Sequence, residues 1–325
     1  MSASFVVGAT GTAAKSKGQL ALVIENDVFG GGTDRHYSSG IRIDWVPERQ
    51  RSVLGLRALV QRIMPVHGGD SIQQYFSLGQ DVHSPEDISA TDIVPNDVPY
   101  AGWLYVTVGH VRNTPKFNDR FAISLGVIGP MSLSGAVQRR WHEAFDFDDP
   151  KGWGNELHNE PGLVLFYERR WKVPLWRSDK GYSVLLAPHG NISLGNIFAY
   201  AGGGLSLRFG RHVSDDTALP RIQPGMFGSA SLQSAKIGQR FAWYIYVATE
   251  GRAVARNIFL DGNTFRDSHS VDKKAFVSDL STGIVMLFGR TSPFRMSYSF
   301  TWRSKEFHGQ DGRDKYGSIT LTMRY

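Results

Sequence analysis

The chain has no cysteine in its 325 residues. That excludes a disulfide framework and any thiolate-ligated metal. It has no run approaching the roughly 18 apolar residues of a membrane-spanning helix. A membrane barrel survives that exclusion, because its strands need only alternate. There is no G-x-S-x-G elbow, so the α/β-hydrolase route has no support, and no H-E-x-x-H zinc pattern. The opening stretch MSASFVVGATGTAAKSKG lacks a basic n-region and has only a weak apolar segment, so it does not read as a signal peptide.

What is present suits many strands and tight turns: 36 glycines and 12% aromatic residues. The net charge is +6, and a basic excess favours anionic partners such as nucleic acid or a phosphate-rich surface. The plainer reading places those charges in a wet barrel interior or in exposed loops, and nucleic acid is not expected as a partner.

Period-two alternation marks the strands. Gln19 to Val28 is the first. Tyr37 to Val46 is the second, with Ile41, Ile43 and Trp45 on one face and Arg42 and Asp44 on the other. Gln73 to His83, Tyr100 to Val111 and Asp119 to Gly129 follow. Leu163 to Val173, Tyr182 to Ser193, Ala199 to Phe209, Phe241 to Thr249, Ala275 to Phe288 and Phe294 to Trp302 come next, and Tyr316 to Tyr325 closes the chain. The last strand puts Ile319, Leu321, Met323 and Tyr325 on one face, the usual ending of a bacterial outer-membrane barrel. The expected fold is therefore all-β: an antiparallel transmembrane β-barrel of about twelve strands. Residues 1–18 form an N-terminal tail and 19–325 the barrel.

Two segments switch to helical spacing. SVLGLRALVQRI, within the connection from Pro47 to Ser71, reads as a short packing helix. Ser132 to Phe147 has apolar residues at 133, 137, 141 and 144/145, with Ser132 where an N-cap would stand. If the N-terminus is periplasmic, strand counting carries this second helix, and His142 on it, into an outer loop. The connections 47–71 and 210–238 are long for periplasmic turns.

The stretch Leu20 to Gly40 dissolves from an apolar strand into a polar cluster: Glu25, Asn26, Asp27, three glycines, then Thr33, Asp34, Arg35, His36, Tyr37 and Ser38. Carboxylate and amide oxygens suit a hard cation, although a polar hairpin loop has the same composition. ENDVF followed by TDRHYSSG resembles the N-terminal signature of the outer-membrane lipid A deacylase family, the enzymes that remove the 3′-linked acyl chain of lipid A. The resemblance continues at Gly79-Gln80-Asp81 and at Asp97-Val98-Pro99-Tyr100-Ala101-Gly102-Trp103. It goes on through Gly126-Val127-Ile128-Gly129-Pro130, Gln138 to His142, Gly152-Trp153 and Asn159-Glu160-Pro161-Gly162. It spans nearly the whole chain from Leu20.

The resemblance implies a calcium-dependent esterase acting on lipid A of lipopolysaccharide in the outer membrane, as a monomer. The chain is then a mature form with an added Met1, its export signal not present. The catalytic set is His142 as the base that activates water, Asn26 as an amide donor and Ser38 as a supporting hydroxyl. Asp27 holds Ca2+ with backbone oxygens, and Tyr37 and Arg35 contact substrate. Asp146, Asp148 and Glu160 are candidates to orient His142. The family's Asp-Arg-Pro-Tyr stands here as Asp97-Val98-Pro99-Tyr100, so an arginine is missing. The alternatives are an outer-membrane phospholipase A-type esterase and a non-enzymatic pore or adhesin.

Overall fold

The computed structural model describes residues 18–30, 36–48, 60–62, 64–65, 67–68, 70–211, 240–289 and 294–325. Most of the tail 1–18, all of the expected helix of residues 52–63 except the helical 60–62, Arg35 with its neighbours Thr33 and Asp34, and the connection 212–239 lie outside those residues.

The strands are β1 (Gln19–Asn26), β2 (His36–Val46), β3 (Ser71–Ser84), β4 (Ala101–Asn113), β5 (Phe117–Ile128), β6 (Glu160–Trp171) and β7 (Val173–Arg177). They continue with β8 (Tyr182–Gly195), β9 (Phe198–Arg211), β10 (Phe241–Asn257), β11 (Phe276–Phe288), β12 (Phe294–Arg303) and β13 (Asp314–Arg324). Each pairs antiparallel with its sequence neighbour, except that β6 and β7 both pair with β8. β6 and β7 are thus one strand interrupted at Lys172. The pairing of β1 with β13 closes the sheet, which gives the expected twelve-stranded barrel.

Alternation sorts each strand into two faces. Outward, Leu20, Ile43, Trp45, Leu78, Val106, Leu125 and Leu321 are exposed and form an apolar belt. Inward, the interior is filled by charged and aromatic side chains. Arg42 pairs with Asp44 at 2.9 Å, and Arg252 and Arg303 share Asp279 at 2.8 and 2.9 Å. Charges so buried persist because each is met by opposite charge and hydrogen bonds. Arg208 and Arg295 are buried in the same interior, so the lumen is a packed core.

The two ends differ. Gly18 and Tyr325 meet at one end, where the amide of Tyr325 donates to the Gly18 carbonyl at 3.0 Å. Aromatic residues ring that end: Trp45 packs on Phe76, and Phe288 on both Phe241 and Phe294. At that end the turns 114–116 and 178–181 are short, whereas the connections 47–70 and 212–239 are long. At the other end lie the loops 85–100, 129–159, 258–275 and 304–313. Bacterial barrels keep short turns in the periplasm, so the loop-bearing end faces outward.

The outer loops pack on one another. Val98 is buried with Leu260 and Phe307. The arginine missing from the family pattern is thus replaced by an apolar contact between three loops. His36 lies between two carboxylates, 3.2 Å from Asp97 and 2.7 Å from Asp314.

The helix α1 (Ser134–Phe145) lies in the loop between β5 and β6. Its N-cap is Leu133 in the left-handed region (φ 61°), not Ser132 as expected. Gly129 and Pro130 start a 3-10 turn over Pro130–Ser132. Ser132 is drawn into that turn, and its hydroxyl donates to Ser134 Oγ at 3.1 Å.

Candidate active site

The first strand ends where the site begins. Asn26 closes an Asx turn: its Oδ1 accepts the Val28 amide at 2.7 Å. With the oxygen so engaged, the NH2 is the end left to donate. Asp27 follows, buried, its carbonyl accepting from Gly30 at 2.9 Å.

Opposite, β2 carries a bulge between Tyr37 and Ser39 where it pairs with β3. The extra residue breaks alternation, so Ser38 and Ser39 both reach the outer face. Ser38 Oγ bonds Ser84 Oγ. Tyr37 does not join them. Its ring lies inward, its hydroxyl donates to Glu25 at 3.1 Å, and it packs on Tyr316 and His83. Expected as a substrate contact, Tyr37 instead braces the wall from within.

The helix closes the cleft from outside. Gln80 donates to the Ser132 carbonyl at 2.6 Å. The helix face turned to the wall is small or polar: Ser134, Gly135, Gln138 and His142. Close approach depends on Gly102, where a Cβ would lie 2.0 Å from Ser134 Oγ. Gln138 and His142 are one turn apart and therefore share a face. Gln138 accepts from Trp153 Nε1 at 2.7 Å and donates to Ser84 Oγ at 3.5 Å. A relay of four side chains, Trp153, Gln138, Ser84 and Ser38, thus crosses from loop to wall. His142 Nδ1 meets the main-chain oxygen of Asp148. A carbonyl can only accept, so Nδ1 carries a proton, and in the neutral ring the lone pair is on Nε2.

Asn26, Ser38 and His142 line one cleft, with Ile24, Ile41, Gln138 and Trp141; it encloses ≈ 400 Å³ of empty space, part of it open to solvent. Ile24, Asn26, Ser39 and Ile41 are outward-facing positions by alternation. The cleft therefore lies between the outer surface of the barrel and α1, not in the lumen. Its floor continues into the lipid-facing belt.

Of the orienting candidates for His142, Asp148 serves, but through its backbone. Glu160 instead accepts from Asn263 at 3.0 Å and from the Thr264 amide at 2.8 Å. Ser84, Gln138 and Trp153 were not foreseen as site residues. Gln138 had a readable signal, its spacing of four from His142. Ser84 had none. For a cation, the described residues bring together no group of three His, Cys, Asp or Glu. Asp27 is buried just past the end of β1 and Glu25 lines the cleft; carboxylate oxygens suit a hard cation.

Comparisons with known proteins place this architecture. Residues 1–325 match the family profile described as outer membrane protein LpxR. LpxR from Salmonella typhimurium has a TM-score of 0.73 at 19% identity, covering 94% of this chain and 100% of that one. The β domain of the Bordetella autotransporter BrkA has a TM-score of 0.46 at 10% identity, covering 96% and 99%. The translocator domain of NalP from Neisseria meningitidis has a TM-score of 0.41 at 8% identity, covering 97% and 90%. No curated protein matches. A profile match along the entire chain, together with the shared barrel, shows that the chain belongs to the LpxR family of outer membrane proteins.

Proposed function

We propose that this protein hydrolyses the ester that links the 3′ acyl chain to lipid A in the outer leaflet. The observation that carries the reading is the convergence of Asn26, Ser38 and His142 on one cleft outside the barrel wall. A membrane lipid reaches such a cleft sideways, with its acyl chain along Ile24 and Ile41 and its ester beside His142.

The chemistry follows from the geometry. His142 Nε2 takes a proton from water as the water oxygen attacks the ester carbonyl. Negative charge develops on the carbonyl oxygen, and the Asn26 NH2 is a donor for it. When the tetrahedral intermediate collapses, the carbon–oxygen bond to the sugar breaks. The histidinium returns its proton to the departing sugar oxygen, and the chain leaves as a carboxylic acid. Ser38, tied to Ser84, keeps the wall side of the cleft in place. A hard cation such as Ca2+, held by Asp27 and neighbouring main-chain oxygens, would supply positive charge for the carbonyl oxygen.

The packed interior speaks against the pore reading. The phospholipase reading is separated by substrate. Purified protein is given lipid A and, in parallel, diacyl phospholipid, each with calcium or with chelator. Release of fatty acid from lipid A alone, and only with calcium, is expected. Release from phospholipid at an equal rate would overturn the assignment.

A further inference from the structure

α1 has its polarity reversed relative to a helix that packs on protein. Its buried residues are Ser134, Gly135, Gln138 and His142. Its apolar residues are uncovered: Leu133 is 60% exposed and Phe145 56%, with Met131 at 62% just before the helix and Phe147 at 43% just after. Leu133, Val137, Trp141 and Phe145 recur every four residues and make one stripe along the helix.

The stripe has a direction. Val137 and Trp141 line the cleft beside Ile24 and Ile41. On their strands these isoleucines lie one outward-facing position nearer the barrel middle than Asn26 and Ser39. Beyond them come Leu22 and Ile43, in the lipid-facing belt. The stripe therefore lies on the membrane side of α1 and continues that belt. Arg140, exposed, borders it one turn from Ala144, whereas Arg139 and Glu143 lie on the opposite flank. An apolar stripe edged by a cation fits the acyl–phosphate boundary of a bilayer.

We infer that α1 is an interfacial helix whose stripe Leu133–Val137–Trp141–Phe145 rests in the acyl region of the outer leaflet, with Arg140 in the phosphate layer of anionic lipids. The helix that forms one side of the cleft then also holds the cleft open to the bilayer. The inference uses the outer-membrane location and the exposed stripe, and stands apart from the proposed reaction.

The absence of cysteine makes the test clean. Single spin labels are placed by Leu133→Cys and Phe145→Cys, and on the opposite flank by Arg139→Cys and Glu143→Cys. All four side chains are exposed, and Phe145 alone of them touches other rings, those of Trp141 and Phe147. The folded variants are reconstituted in vesicles of anionic phospholipid, and relaxation by oxygen is compared with relaxation by a water-soluble nickel chelate. Positions 133 and 145 are expected to favour oxygen, and 139 and 143 to favour nickel. Equal nickel access at all four positions would overturn the inference. So would protection of 133 and 145 that depends on protein concentration and carries spin–spin broadening, which would mean that a second copy covers the stripe.

Discussion

His142 is held by the main chain of Asp148, through a hydrogen bond from Nδ1 to the carbonyl oxygen. The carboxylate of Asp148 has no part in this contact. Asp148→Asn is therefore expected to leave kcat for acyl release within about threefold, whereas His142→Ala removes the proposed base and lowers it by about 10²–10⁴-fold. Rates of fatty-acid release from lipid A check both. A loss in Asp148→Asn as large as in His142→Ala would show that the carboxylate, not the backbone, is the partner.

Gln138 joins Trp153 to Ser84. Gln138→Leu keeps the volume but leaves the indole N–H buried without its acceptor, at a cost of about 1–3 kcal/mol. Lower thermal stability and a reduced kcat are expected together. Adding Trp153→Phe to Gln138→Leu removes the orphaned donor as well, so the two losses are expected to be less than additive. Heat-modified electrophoretic migration and acyl release measure the two effects.

Glu156 lies in the loop after α1. Burial pushes its carboxyl up to about 7, against the opposing charge of Arg139. The folded value lies above the unfolded one, so the carboxyl favours folding when protonated. That contribution is lost as pH rises through about 7. Amide exchange in residues 146–159, corrected for intrinsic rates, is expected to slow between pH 8 and pH 5. Glu156→Gln removes this trend; an unchanged trend in the variant would contradict the assignment.

Asp97 shows the opposite sign. Burial disfavours its charge, but the hydrogen bond and positive charge of His36 and the amides of Glu86 and Val98 outweigh it and hold the carboxyl below the usual range. Its contribution is present above the unfolded value of about 3.9 and is lost as pH falls through the lower folded value. Asp97→Asn is expected to loosen loop 85–100 at neutral pH and to flatten the acid limb of stability. Proteolysis of that loop across pH reads both.

Gly102 sets how closely α1 approaches the wall. In Gly102→Ala the new methyl would lie 2.0 Å from Ser134 Oγ and 2.3 Å from Ser132 Oγ. The barrel has no reason to fail, but α1 must move, and with it Gln138 and His142. A folded, heat-modifiable protein with at least about tenfold lower kcat is expected, since small misplacements of catalytic groups are costly. Full activity would mean that α1 tolerates displacement.

Much of this architecture is legible in the sequence, for identifiable reasons. Alternation is a local property, so each of the twelve staves is readable on its own, and Ile41, Ile43 and Trp45 turn outward as their pattern requires. The spacing of α1 is also local. Its orientation is not: an apolar stripe ordinarily faces protein, and here its ends Leu133 and Phe145 are exposed while Val137 and Trp141 turn to the cleft. Alternation counted back from Ile41 would turn Tyr37 outward and Ser38 inward, and the bulge between Tyr37 and Ser39 exchanges them. The partner of His142 is a carbonyl, and no side chain announces it. His36 meets Asp314 278 residues away, a contact that only barrel closure creates. Val98 for arginine reads as a loss of charge, and becomes sense only once Leu260 and Phe307 are seen around it.

The most direct test of the account is the mass spectrum of lipid A after incubation with calcium and either the native protein or His142→Ala. The account predicts loss of the 3′ acyl group with the native protein and an unchanged spectrum with folded His142→Ala. An unchanged spectrum with the folded native protein across several lipid A forms, or equal loss with the variant, would contradict it.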